Sequence, residues 1–122
     1  MEYLIEMRIA DSGRSTTPTD GVEFIEQYIL PTLDLCRRLQ TEHRIVAGGP
    51  ISGAVGLAFI IRADSAPEID EIVSGLPVWP RMVTAVTPLT TWEDRAAALR
   101  PRLERLKAAS LPGDAARASG GA

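Results

Sequence analysis

From Glu2 to Ala10 the side chains alternate, with Tyr3, Ile5, Met7 and Ile9 on one side and Leu4, Glu6 and Arg8 on the other. A period of two is that of a β-strand with one face in a core. A polar loop, Asp11 to Thr16, follows. The period then changes. Thr17 is placed as a helix N-cap, Pro18 at the first helical position and Asp20 at the capping-box position. The spacing predicts a helix to about Thr41, with Val22, Ile25, Ile29, Leu33 and Cys36 as its buried stripe. Pro31 lies inside this run, where it removes a hydrogen bond and clashes with the carbonyl of Gln27. A kink is expected there, and a kinked helix over a sheet leaves space between the two.

Arg44 to Gly49 reads as a short strand ending in a glycine turn, and Ala54 to Arg62 as the most apolar strand, suited to the sheet centre. No helix follows Gly48-Gly49-Pro50, so these glycines are turn residues and not a phosphate loop. Ser65-Ala66-Pro67-Glu68 opens a second helix, with Ile69, Ile72, Val73 and Leu76 inward and Gly75 as its stop. Next comes Leu76 to Leu89, LPVWPRMVTAVTPL. Two prolines framing Trp79 predict a rigid, extended lead-in, and the β-branched run after it predicts a strand near a sheet edge. From Thr91 a third helix carries Trp92, Ala96, Leu99, Leu103 and Leu106 at four-three spacing, a narrow coiled-coil-type seam that Pro101 interrupts or kinks. Residues 1–109 are expected to form one domain including this helix, and the Ala/Gly-rich residues 110–122 a disordered tail.

The order β-α-β-β-α-β with right-handed crossovers gives a ferredoxin-like α+β fold: a four-stranded antiparallel sheet with two helices on one face and an extra C-terminal helix. The bare face would carry Leu4, Ala58 or Leu57, and part of the fourth strand, too apolar for water. Two subunits packing those faces would close a barrel, so a homodimer or larger homo-oligomer is expected. At 122 residues the chain is one domain's worth, and a net charge of −3 without a basic stripe argues against nucleic acid. No apolar run reaches the ~20 residues of a membrane span. The N-terminus reads as a strand instead of a signal peptide, so a cytoplasmic location is expected. One cysteine, Cys36, in an apolar helical pattern and one histidine, His43, give neither a disulfide nor a metal set.

The segment LPVWPRMVTAVTPL resembles the "LP-aromatic-P … V-T-P-L" end of the muconolactone isomerase-like family. Leu35 to Gln40 (LCRRLQ) and Arg44 look like that family's first helix and second strand, and the likeness spans roughly Glu2 to Arg95. The resemblance implies a dimeric α+β barrel in larger oligomers, with a pocket between sheet and helices. It also implies proton transfer on an unsaturated lactone, with no metal or organic cofactor. This chain departs from the family pattern in carrying Leu4 and Glu6 on the first strand, and Pro31 and Thr32 where the family places a carboxylate. The glycine-rich loop and the last helix are further differences.

Isomerisation of an enol-lactone or dienone needs a base, a donor to the developing enolate oxygen and little water. Glu6 projects from the face opposite Tyr3, toward the presumed barrel interior, and Arg8 beside it could hold it ionised or bind an anion. Glu26 borders the helix stripe just before Pro31, and His43 sits where helix gives way to loop. These are the catalytic candidates: Glu6, Glu26 and His43. Arg8, Arg44, Tyr28 and Trp79 are the substrate-binding candidates, Arg44 for bidentate grip on a carboxylate and Trp79 as wall or stacking surface. Each has a plainer alternative: an ion pair for Glu6, Arg8 and Arg44, a solvated boundary for Glu26, an ordinary loop histidine for His43, packing for Tyr28 and Trp79. A cofactor-independent isomerase or cyclase is therefore expected. A non-catalytic binding barrel and a cofactorless monooxygenase are the alternatives.

Overall fold

The computed structural model of the protein describes residues 1–110. Four strands, β1 (Glu2–Ile9), β2 (Ile45–Pro50), β3 (Gly56–Arg62) and β4 (Met82–Leu89), form one antiparallel sheet in the order β2-β3-β1-β4. That is the ferredoxin-like order, with β3 and β1 inside and β4 at an edge, where Pro88 costs no ladder bond between two neighbours. Alternation fixes the faces. Tyr3, Ile5, Met7, Phe59 and Ile61 are buried and share one core with Phe24, Ile69 and Val73 of the helices. Leu57 belongs to this buried face, so the open face carries Ala58.

The first helical run starts as α1 (Pro18–Glu23), where the Thr17 hydroxyl accepts from the Asp20 N–H at 3.1 Å. Just before Pro31 the run passes through a π-helical turn, Phe24–Ile29, that leads into α2 (Leu30–Thr41). The Leu30 N–H bonds to the Ile25 carbonyl, five residues back. One extra residue in the turn moves carbonyls out of the way of the proline ring, so the helix continues without a break. The extra residue also rotates the stripe. Phe24 and Thr32 are buried with Tyr28 packed beside them, while Val22 and Ile25 of the expected stripe are 56% and 53% exposed. At its far end the helix closes with the Arg44 N–H on the Leu39 carbonyl and the His43 N–H on the Gln40 carbonyl. His43 has φ +62°, the left-handed position of such a C-terminal motif.

α3 (Ala66–Ser74) is capped by Ser65 and stopped at Gly75. The Leu76–Arg81 corner is not extended. Trp79 donates its N–H to the Leu76 carbonyl and Arg81 to that of Val78, closing a 3-10 turn over Trp79–Arg81. Proline's fixed φ suits a 3-10 turn as well as an extended chain, and burial of Leu76 and Val78 selects the turn. In β2, Gly48 has φ +104°, and a Cβ there would lie 2.2 Å from the Ala58 carbonyl, so only glycine lets β2 approach β3.

Two compact units divide the chain after Leu89. The second holds α4 (Trp92–Ala109), which Thr91 caps by accepting from the Asp94 N–H at 3.0 Å. Pro101 stands inside α4 without ending it. Its seam residues Leu99, Leu103 and Leu106 are exposed. The expected tail lies, from residue 111 onward, outside the described residues.

Candidate functional site

The rotated first helix does not seal against the sheet. Beneath it lies a cavity of about 370 Å³, partly open to solvent, within the range of small-molecule sites. Phe24, Ile25 and Ile29 of the π turn and Leu33 of α2 form its roof. Leu57 of β3, Met82 of β4 and Val78 of the corner form its floor and side, and Ser15 and Gly21 stand at the helix start. A second space of about 280 Å³ shares Leu33, Pro50 and Leu57 and runs on toward Cys36 and Gln40, so the cleft follows α2. Burial pushes the Cys36 thiol up from its ordinary value, which leaves it a poor nucleophile.

Two polar side chains set the shape of the cavity. Thr32, 1% exposed, donates its hydroxyl to the Tyr28 carbonyl at 2.7 Å and accepts from the Val78 N–H at 3.0 Å. It thereby ties the helix to the corner. Arg81 ties that corner to the start of the chain: its Nε donates to the Gly13 carbonyl at 2.8 Å and its guanidinium pairs with Asp20 at 3.3 Å. The same guanidinium lies 4.3 Å from the centre of the Phe24 ring and 5.2 Å from that of Tyr28. Only 15% of its side chain is exposed, and three kinds of contact compensate the buried charge. Asp20 is reached as well by the Thr16 N–H at 3.1 Å.

The candidates named from the sequence do not converge. Glu6 and Arg8 point to the open face of the sheet, away from the cavity, with Glu6 between Ala58 and Ala85. Glu26 is exposed on the π turn, next to the lining residue Ile25. Tyr28 packs against Phe24 with ring centres 6.2 Å apart. His43 is exposed in the helix-terminal turn, and Arg44 beside it is ion-paired with Glu68. The Asp64 N–H, first, and Arg44, second, hold the Glu68 carboxyl below the usual carboxylate range. Trp79, 41% exposed, borders a separate hollow with Asp70 and Thr84. Ile25, Ile29 and Leu33 of the cavity belong to the stripe read from the sequence, whereas Phe24 and Val78 went unmarked because they gain their role only from the π turn and the 3-10 corner. Arg81 had one available sign: it is the single cation in Leu76 to Leu89.

Among solved structures the chain is similar to muconolactone isomerase, with 19% identity and a TM-score of 0.61 over 75% of this chain and 90% of that one. The chain has a muconolactone isomerase-like fold. It is similar also to 5-chloro-2-hydroxyhydroquinone dehydrochlorinase from Burkholderia phenoliruptrix AC1100, solved with 2,5-dihydroxybenzoquinone. There the identity is 20% and the TM-score 0.53, over 77% of this chain and 98% of that one. No family profile matches the sequence, nor does any curated protein. Both structural neighbours lie below the identity at which more than fold carries over. No helix among the described residues is long and apolar enough to cross a membrane. Nor do three metal-binding side chains cluster among them.

Proposed function

We propose that the protein is a cofactor-independent enzyme that moves a proton on a small oxygenated unsaturated compound, as an isomerase or cyclase does. The observation that carries this reading is the 370 Å³ cavity between helix and sheet, in a fold shared with two enzymes named for oxygenated ring compounds. Apolar walls leave few water partners beside a bound ligand and an enolate-forming step to a few positioned groups. Glu26, one residue from the lining Ile25, is the proposed proton acceptor, and Tyr28, against Phe24, the proposed hydroxyl donor. The same reading includes a homodimer formed through the open sheet faces, which would enclose Glu6 and Arg8. Binding without chemistry is the second reading. It is favoured by a cavity lining that contains no ionisable side chain.

A panel of enol-lactones and hydroxylated quinones, followed by ultraviolet absorbance, tests the first reading. Removing a general base typically costs 10²- to 10⁴-fold in rate, so Glu26→Gln should lower kcat by roughly that much and leave binding intact. If both Glu26→Gln and Glu6→Gln stay within a few-fold of the unaltered protein, the proton-transfer assignment is wrong. Tight binding across the panel with no turnover selects the second reading.

A further inference from the structure

We infer that the helix-side cavity, of about 370 Å³, takes an uncharged ligand and rejects carboxylates, an inference that rests on the cavity being the functional site. Four observations converge. Every residue that lines the cavity is uncharged, the walls are aliphatic or aromatic at Phe24, Ile29, Leu33, Leu57, Val78 and Met82, and Arg37 in the adjoining space is exposed and paired with Asp34 at 3.3 Å. A carboxylate placed there would lose water and gain no counter-charge, the most costly form of burial.

The polar groups of the lining are few and largely spent. The Thr32 hydroxyl donates to the Tyr28 carbonyl and accepts from Val78, so it has no proton left to offer an anion. Ser15 stands at the helix start, and among the described residues no hydrogen bond engages its hydroxyl. It can meet one neutral hydroxyl or carbonyl of a ligand at the rim.

The cation packed against the lining is spent too. Arg81 lies 4.3 Å over the Phe24 ring, but its charge is paired with Asp20 and its Nε with the Gly13 carbonyl. Drawing it into the cavity would break the contacts that hold the corner. The field of the domain acts in the same direction, because residues 1–89 carry twelve acids against seven arginines and no lysine.

The inference concerns the ligand's charge, whereas the proposed reaction concerns what is done to it. The two therefore fail separately. The full chain is titrated calorimetrically at pH 7.5 with 2-naphthol and 2-naphthoate, which share a ring system and differ in charge. Naphthol should bind at least tenfold more tightly. Ile25, 53% exposed on the rim, is the position at which a charge can be introduced without disturbing the core. Ile25→Arg should narrow or reverse the ratio by strengthening naphthoate, and Leu30→Met, at a position 50% exposed and outside the lining, should leave it unchanged. Equal or tighter binding of naphthoate by the unaltered chain overturns the inference. So does no binding of either compound at millimolar concentration, or a ratio that Ile25→Arg does not move. A preference for naphthol without turnover of any compound removes the proposed enzyme and leaves the ligand class standing. Turnover of an acid with naphthoate preferred does the reverse.

Discussion

Thr32 shows how much one hydroxyl can decide. It is buried among apolar neighbours and its two hydrogen bonds join α2 to the 3-10 corner, the two elements between which the cavity opens. Thr32→Val keeps the shape and leaves the Val78 N–H buried without a partner, which costs about 1–3 kcal/mol. Thr32→Ser keeps both bonds and gives up one methyl, about 0.5–1.5 kcal/mol by analogy with Ile→Val. Urea denaturation of the two variants should therefore rank valine below serine. Valine equal to the unaltered protein would mean that the bridge contributes nothing. Nothing in the local sequence announces this threonine as a bridge, because its partner lies 46 residues away.

At the scale of elements, what could be read from the sequence was what local rules decide. The caps Thr17, Ser65 and Thr91 each accept from the N–H three residues on, and alternation in β1 and β3 sets their buried faces. What could not be read depends on an exchange of hydrogen bonds. A proline's cost in a helix can be met in more than one register, and only packing chooses, which is why Pro31 did not reveal the π turn at which Val22 and Ile25 are exposed while Ile29, Leu33 and Cys36 pack on the core. The cavity inherits that choice, since three of its roof residues stand in the π turn. One element carries a pH signature. Glu68 at the start of α3 accepts from the Asp64 N–H at 2.9 Å and pairs with Arg44, and its carboxyl is held below its ordinary value. A lowered folded value means the stabilisation is fully present above the unfolded pKa and is lost as pH falls through the folded one. Glu68→Gln should thus be less stable than the unaltered protein at neutral pH, with the gap closing on acidification. Urea midpoints measured at both pH values decide it, and a gap independent of pH would assign the effect to packing instead.

At the largest scale, within residues 1–89, helices pack on one face of the sheet and none of them on the other. The register puts a row of small residues around Glu6 on this face, Gly49, Ala58 and Ala85, and beside it the apolar Ala47, Ile60 and Leu4 with Thr87 at the end. Val83, opposite Arg8, is 65% exposed. Apolar side chains on a sheet face are what a subunit contact can cover. The small row would leave room around Glu6 once a second sheet lies across it, so the proposed dimer and any role for Glu6 and Arg8 stand together. Val83→Lys separates the dimer from the fold. In a lone protomer an exposed substitution of this kind changes stability by about 0.5 kcal/mol or less, whereas a lysine opposed across a dimer interface must bury its charge. Sedimentation velocity at tens of micromolar should show a dimer for the unaltered chain and a protomer for Val83→Lys. Circular dichroism should show the same secondary structure in both. A single protomer in the unaltered chain would return Glu6 and Arg8 to the solvent and leave the helix-side cavity as the remaining candidate site.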